Sequence, residues 1–357
     1  MTYPQEMRSK LARSTDILSG GELALLERIR ARTARARGGQ VQLGIGDDCA
    51  LLRLRPGEDL AVTTDLSIAG RHFRLGWHPP ESIGHRTLTR GLSDLAAMGA
   101  RPIAAFLSLG LPRALTRSVR GEKSWLDRFL DGFLGMADAH ETPLAGGDLA
   151  ESPIAIADIV VTGAVRRGEA LLRTGARPGD LLYVTGSLGG SAAGLAQMAQ
   201  LGAAPKRRRS RAAPYEGRRI PSRLKLLLEP HLYPQPRIAQ GRWLAKRLLA
   251  TAAIDISDGL STDLDHLCQE SRVAAELDAA AIPIQAAANL RMALHGGEDY
   301  ELLFTASAAA RLPGSIEGVP VTRIGRILRR SSGKPKVTLN TAHGTRPLAA
   351  QGWEHFS

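Results

Sequence analysis

The chain alternates short apolar runs with segments of helical period, and this alternation restricts the folds that it can adopt. Leu181–Thr185 is an apolar run bounded by turn residues and predicts a strand. Leu88, Leu92 and Leu95 share one face of a helix, which we expect to end at the cap residue Gly99. Alternation of this kind favours α/β layers, in which helices cover the faces of a sheet.

The length of 357 residues suggests about two domains, since a domain typically has roughly 150 residues. We predict one domain over residues 1–165 and a second over 166–357. Residues 203–222 (AAPKRRRSRAAPYEGRRIPS) have no periodicity and many like charges, so we interpret them as a solvated basic insertion in the second domain.

The net charge is +12, and 40 of the 47 basic residues are Arg. A basic excess accompanies either nucleic acids or anionic ligands, or it reflects a bias towards Arg in the composition. The arginines are spread along the chain, which makes nucleic acid the less favoured partner. No apolar run reaches the roughly 18 residues that cross a bilayer. The first residues lack an apolar signal core, so we expect a cytoplasmic protein.

Acidic residues cluster with small residues at the ends of the predicted strands. The five clusters are Gly46-Asp47-Asp48, Thr63-Thr64-Asp65, Ser93-Asp94, Gly147-Asp148 and the segment Asp255-Ile256-Ser257-Asp258-Gly259. Hard divalent cations prefer oxygen ligands, and glycine lets the backbone approach a ligand closely. Each cluster alone is typical of a turn, and residues 146–148 are expected to form a tight turn before a strand over 154–165. Together they favour a site for a metal ion and a nucleotide.

The common phosphate-binding signatures do not occur in the sequence. It has no G-x-x-x-x-G-K-[ST] loop and no catalytic loop of the protein-kinase type. Residues 186–191 (GSLGGS) open a predicted helix and are compatible with a phosphate cradle or with a plain strand-to-helix connection. Any phosphate would therefore be held by metal ions, arginines and backbone groups.

Seven motifs, spread over nearly the whole chain, resemble those of the bacterial thiamine-monophosphate kinase family. In that family's order they are LGIGDDCALL (43–52), TTD (63–65), LTRGLSDLAAMGARP (88–102), GGD (146–148), LLRTGARPGDLLYVTG (171–186), IDISDGLSTDL (254–264) and GGEDYELLFT (296–305). The resemblance implies the two-domain α/β fold of the aminoimidazole ribonucleotide synthetase-like superfamily, with each domain a mixed sheet covered by helices. It also implies a homodimer that pairs the N-terminal domains.

The resemblance further implies a site for several Mg²⁺ ions, with ATP as co-substrate. Carried over residue by residue, the metal ligands are Asp48, Thr63, Thr64, Asp65, Asp94, Asp148, Asp255 and Asp258. The corresponding ATP contacts are Gly147, Asp148, Arg173 and Ser257. The thiamine phosphate would contact His72, Glu298 and Trp353. Asp47 would orient its neighbour, and Leu149 departs from the family, in which Thr is common at that position.

The implied reaction transfers the γ-phosphoryl group of ATP to thiamine monophosphate and yields thiamine diphosphate. The accepting phosphate has a second pKa of about 6, so it is already ionised near neutral pH and needs no general base. Two alternatives remain open at this point. One is a superfamily member that acts on another acceptor, although Cys49 directly follows Asp48 and does not fit the reactive cysteine of a selenophosphate synthetase. The other is a nucleic-acid-binding protein that uses the Arg-rich segments.

Overall fold

The computed structural model describes residues 22–33, 39–118, 122–203 and 220–353. Within these ranges the helices are α1 (Glu22–Thr33), α2 (Pro80–Ala97), α3 (Trp125–Ala139), α4 (Gly190–Ala203), α5 (Lys225–Leu232), α6 (Ile238–Arg247), α7 (Leu260–Glu270) and α8 (Leu290–His295). Most of the predicted basic insertion, residues 204–219, lies outside the described residues. None of the described helices combines the length and the apolar character that crossing a membrane requires.

The strands form two main sheets and a small hairpin. The hairpin pairs β1 (Val41–Leu43) with β2 (Leu51–Leu52). The first sheet contains β3 (Glu58–Ile68), β4 (Arg101–Leu111), β5 (Leu144–Glu151) and β6 (Ile156–Arg166). The second sheet contains β7 (Leu181–Thr185), β8 (Ala252–Asp255), β9 (Val273–Asp278), β10 (Leu302–Ala306), β11 (Ser315–Ile316), β12 (Val319–Arg329), β13 (Val337–Thr341) and β14 (Gly344–Pro347).

The first sheet has the strand order β3-β6-β4-β5 and is mixed, since β4 and β5 run parallel while the other pairs are antiparallel. Helices α2 and α3 cover one face, where Leu88 and Leu92 of α2 and Phe129 of α3 are fully buried. Helix α2 ends as its sequence predicts. Gly99 follows it with φ +67°, and the N–H of Ala100 donates to the carbonyl of Leu95.

The second sheet has the order β14-β13-β9-β12-β7-β10-β8, and β11 pairs with β12. It is also mixed, because β13 runs parallel to β9 while the other pairs are antiparallel. Leu260, Leu264 and Leu267 of α7 are buried in its core. The predicted fold of two mixed sheets covered by helices is therefore confirmed. The boundary between residues 165 and 166 stays a prediction.

The segment Gly146-Gly147-Asp148 is not the tight turn that its composition predicts. It lies inside β5, where Gly147 pairs with Leu107 of β4. Gly147 has a φ of +149°. A Cβ atom on this residue would lie 1.9 Å from the carbonyl oxygen of Leu107. The glycine therefore permits a close approach of two strands, a tertiary reason that local composition does not reveal.

Candidate functional site

Helix α2 connects the two halves of the chain at the site. The Ser93 hydroxyl donates to Asp255 Oδ2 at 2.7 Å, and Arg86 Nη2 lies 2.5 Å from Glu298 Oε1. Both acceptors belong to the C-terminal half, where Asp255 ends β8. Polar side chains of α2 therefore hold the loops of the second sheet against the first domain.

The same helix contacts the interior of β3, because Thr63 and Asp65 lie within this strand rather than at the strand end that the sequence predicts. The Thr63 hydroxyl donates to Asp94 Oδ2, and Arg90 Nη2 lies 2.8 Å from Asp65 Oδ1. Arg86, Arg90 and Asp94 recur every four residues and therefore lie along one face of the helix. Arg90 and Asp94 on this face border a cavity between the two halves of the chain.

A cavity of about 810 Å³ opens between α2, the loop after β3, helix α4 and the loops that follow β8 and α8. It is large enough for a drug-sized ligand, since typical ligand sites have volumes of ~300–1,000 Å³. It gathers most of the residues that the resemblance assigns: Thr64, Asp65, His72, Asp94, Asp255, Ser257, Asp258, Glu298 and Trp353.

Four aspartates from both halves of the chain line this cavity. Burial raises the pKa of Asp94, and the charge of Asp65 adds to the effect. Burial likewise raises the pKa of Asp255 to about 7, and the charge of Asp94 again adds to it. Such crowding disfavours the ionised carboxylates, and a bound cation would relieve it. Asp258 is the fourth member.

The side chains that face the cavity suit a hard cation, because they offer carboxylate and hydroxyl oxygens. Among the described residues, no three His, Cys, Asp or Glu side chains come close enough to hold one ion by themselves. Mg²⁺ commonly takes one or two protein carboxylates together with waters and substrate phosphates. The observed spacing therefore fits ions that are shared with a nucleotide rather than an ion caged by protein alone.

Five of the carried-over residues do not line the cavity in the single chain. Thr63 contacts it through Asp94, and the charge of Arg173 lowers the pKa values of Asp94 and Asp255, so both lie near the cluster. Asp48, Gly147 and Asp148 are elsewhere. Asp48 is exposed next to the β1–β2 hairpin, and its N–H donates to Asp47 Oδ1 at 2.9 Å. Asp148 is exposed on the edge strand β5.

Two loops near the site have backbone N–H groups that already donate hydrogen bonds to carboxylates of this protein. Asp299 accepts hydrogen bonds from the N–H groups of Gly189 and Ser191, at 2.7 and 3.1 Å. Burial raises the pKa of Asp299 to about 7. The loop over residues 186–191 is therefore a strand-to-helix connection. The Asp299 carboxylate occupies the backbone N–H groups that a phosphate would otherwise bind.

Asp263 likewise accepts backbone hydrogen bonds in the loop after β8. Its Oδ2 atom accepts from the N–H groups of Ser257, Asp258 and Gly259 at 3.0–3.1 Å. Burial raises its pKa as well. These bonds fix the loop that carries Asp258 into the cavity.

The segment that carries Glu298 is held in an unusual backbone conformation. Glu298 and Tyr300 have φ values of +65° and +53°, a region that side chains other than glycine rarely adopt. The N–H of Glu298 donates to the carbonyl of Ser257, and that of Tyr300 donates to Ile256. Strained residues of this kind cluster at functional sites, where the surrounding structure imposes the conformation.

A buried chain of hydrogen bonds lies beside the cavity. His78 Nε2 lies 3.0 Å from His231 Nε2, and His231 Nδ1 lies 3.0 Å from the Ser191 hydroxyl. Burial lowers the pKa of His78 to about 4 and that of His231 well below its ordinary value, so both rings stay neutral at physiological pH. These hydrogen bonds join the loop before α2 to helices α4 and α5.

Sequence reasoning missed several residues of the site. Arg86 and Arg90 precede Asp94 at intervals of four residues, and this spacing is a signal that could have found them. Asp263 and Asp299 lie close to recognised motifs, but their partners are backbone groups that only the folded loops supply. His231 gives no local signal of its partners.

Comparison with known proteins finds two matching domain families and relatives that match along most of the chain. The N-terminal domain family of AIR synthase related proteins matches residues 46–165, and the corresponding C-terminal domain family matches residues 177–337. The chain is 40% identical over 323 residues to the thiamine-monophosphate kinase of Escherichia coli K12, covering 86% of this chain and 90% of that protein. It is 36% identical over 355 residues to the enzyme of Salmonella typhimurium, covering 94% and 98%.

Solved structures give the same result. The thiamine-monophosphate kinase of Stenotrophomonas maltophilia K279a matches with a TM-score of 0.72 and 39% identity, over 90% of this chain and 96% of that one. A structure of AaThiL complexed with AMPPCP and TMP matches with a TM-score of 0.68 and 29% identity, over 94% and 97%. The hydrogenase maturation protein HypE in complex with ATP, at 18% identity, shares the fold. The resemblance seen in the sequence is confirmed, and the chain belongs to the thiamine-monophosphate kinase family.

Proposed function

We propose that this protein uses ATP and Mg²⁺ to phosphorylate thiamine monophosphate to thiamine diphosphate. The observation that carries the proposal is the cavity of about 810 Å³ in which Asp65, Asp94, Asp255 and Asp258 face the residues assigned to the thiamine substrate. Carboxylates that gather from both halves of the chain suit metal-bound phosphates, and the cavity has room for the acceptor beside them.

The substrate end of the cavity offers an aromatic ring, a histidine and a carboxylate. Trp353 is 49% exposed at the cavity wall, and its backbone N–H donates to the carbonyl of Asp258 at 3.1 Å. Its ring is suited to stack on the thiamine rings, an interaction worth ~0.5–2 kcal/mol. His72 Nδ1 accepts the N–H of Ile68 at 3.0 Å, which fixes the orientation of the ring at the cavity wall. Glu298 adds a carboxylate at this end of the cavity, where it also pairs with Arg86.

The phosphoryl end of the cavity needs charge neutralisation rather than a proton acceptor. The accepting phosphate is ionised near neutral pH, because its second pKa is about 6. Asp65, Asp94, Asp255 and Asp258 would hold Mg²⁺, which supplies positive charge to the transferring phosphoryl group. Arg173, whose charge already acts on Asp94 and Asp255, adds a fixed cation. The chain thereby aligns two polyanions that otherwise repel each other.

The test is product formation by the purified protein. With ATP, Mg²⁺ and thiamine monophosphate we expect thiamine diphosphate, measured by chromatography, and none after chelation of the metal. Asp255→Asn should abolish it. Asp131→Asn is a matched control, since Asp131 pairs with Arg32 and Lys123 away from the cavity. A folded wild-type protein that forms no thiamine diphosphate at saturating substrates would refute the proposal.

We also propose that two copies pair through the outer face of the first sheet. Leu60, Val62 and Leu66 of β3 are exposed on this face at 49%, 56% and 43%. Contiguous exposed apolar surface marks interaction sites. Asp148 lies on the same face, because Leu66, Asp158, Ser108 and Asp148 form one row across the sheet. A second copy would therefore lie against a predicted metal ligand that the single chain leaves outside the cavity.

The oligomeric state is tested by light scattering after size-exclusion chromatography. We expect a dimer for the wild-type chain and a monomer for Val62→Asp, which places a charge in the proposed interface. A wild-type monomer would refute the pairing. Since the reaction consumes ATP, we further propose the cytoplasm as its compartment.

A further inference from the structure

Arg90 is an enclosed cation whose hydrogen-bonding capacity is only partly used. Its side chain is 17% exposed, and Nη2 lies 2.8 Å from Asp65 Oδ1. The buried Nε atom has no acceptor among the described residues. A guanidinium carries five N–H donors in a rigid fork, and a buried donor without an acceptor is unfavourable. Asp65 is thus the carboxylate that Arg90 contacts directly, and the charge of Glu298 also acts on it.

The partner of Arg90 is itself a predicted metal ligand. Asp65 and Arg90 both line the cavity of about 810 Å³, together with Asp94 and Asp255. A divalent cation bound to Asp65 would repel the guanidinium that already contacts the same carboxylate. Arg90 and such a cation would therefore compete for Asp65. Arg86, one turn earlier, differs because its partner is Glu298 and it does not border this cavity.

We propose that Arg90 gives up Asp65 when a divalent cation binds there, and that its guanidinium then binds a phosphate group of the substrates in the cavity. This inference rests on the proposed function, which brings phosphates to the cavity. The planar fork matches two phosphate oxygens at once, and its unused Nε donor acquires an acceptor. In the metal-free chain, Arg90 keeps Asp65 neutralised. Metal binding therefore prepares the phosphate site.

Calorimetric titration of Mg²⁺ or Mn²⁺ into nucleotide-free protein tests the competition. Arg90→Gln removes the competing cation, so it should bind the metal about three- to tenfold more tightly than the wild type. Arg90→Lys keeps the charge and should stay near the wild-type affinity. Arg101→Gln is the matched control, because Arg101 pairs with Glu58 at 3.0 Å away from the cavity and its side chain is 24% exposed. Unchanged or weaker metal binding by Arg90→Gln would overturn the proposal.

A second arm tests the release of Arg90 towards phosphate. Asp65→Asn frees the guanidinium permanently, so this variant should bind AMPPCP in chelator about three- to tenfold more tightly than the wild type. The double variant Asp65→Asn/Arg90→Gln should lose that gain, which separates the action of Arg90 from the loss of one negative charge. A gain that persists in the double variant would refute the phosphate role.

Neither arm depends on turnover or on the thiamine substrate. A protein that forms no thiamine diphosphate but shows both binding results would refute the proposed function and leave the exchange at Asp65 standing. Active protein in which Arg90→Gln leaves metal affinity unchanged would refute the exchange alone.

Discussion

Replacing Asp255 by Asn should stabilise the metal-free protein while it abolishes activity. Asp255 is 3% exposed and accepts a hydrogen bond from Ser93 at 2.7 Å. An Asn side chain has nearly the same shape, and its amide oxygen can accept the same bond. The substitution therefore removes a buried charge and preserves the packing. A buried ionised carboxylate without a bound cation is destabilising.

The size of this gain in stability, and its dependence on pH, follow from the raised pKa of Asp255. Its value rises from 3.8 to about 7, because of burial first and then of the charge of Asp94. Between these pH values the folded chain holds a proton that the unfolded chain has lost, so stability falls as the pH rises through this window. The rise corresponds to ~4 kcal/mol, since each pKa unit is worth ~1.4 kcal/mol. We expect Asp255→Asn to recover about 2–4 kcal/mol at pH 8 and much less at pH 4.

Urea unfolding in the presence of a chelator measures this difference. The free energy of unfolding of wild type and Asp255→Asn would be compared at pH 8 and at pH 4. Asp148→Asn is the control, because Asp148 is an exposed predicted ligand and its replacement should leave stability nearly unchanged. Mg²⁺ should stabilise the wild type more than Asp255→Asn. A less stable Asp255→Asn protein at pH 8, or a gain that is the same at both pH values, would refute the reasoning.

Three further substitutions test other parts of the site and of its support. Asp65→Asn should lose most turnover while the protein stays folded, and near-wild-type rates would remove Asp65 from the mechanism. Trp353→Ala should mainly raise KM for thiamine monophosphate, and an unchanged KM would assign this half-exposed ring to packing alone. Gly241→Ala should lower the free energy of unfolding by about 2–4 kcal/mol, because the new Cβ would lie 1.9 Å from the carbonyl oxygen of Ala96 where α6 crosses α2. Chemical denaturation checks this last value, and unchanged stability would show that the two helices separate easily.

The sequence by itself determined where the main elements form. The periodicity of Leu88, Leu92 and Leu95 predicted α2, and the cap at Gly99 predicted its end. The apolar run over Leu181–Thr185 coincides with β7. These predictions succeed because helix and strand periods, caps and turn residues act over a few positions along the chain. The ordered motifs were also sufficient to identify the family.

Tertiary structure alone decided which acidic residues meet. Asp65, Asp94, Asp255 and Asp258 line one cavity, whereas Asp148, with an equally suggestive local sequence, lies on the outer face of a sheet. This separation depends on the order of the strands and on the face of the sheet on which each residue lies. A single sequence motif predicts neither.

The partners of the charged residues were likewise decided by the fold. Ser93 contacts Asp255 across 162 positions of the chain, and Arg86 contacts Glu298 across 212. Asp299 fills the glycine loop that local sequence left open to phosphate. Such contacts depend on how two sheets and a helix pack together, because packing brings distant positions within hydrogen-bond range and excludes the water that would otherwise weaken their charges.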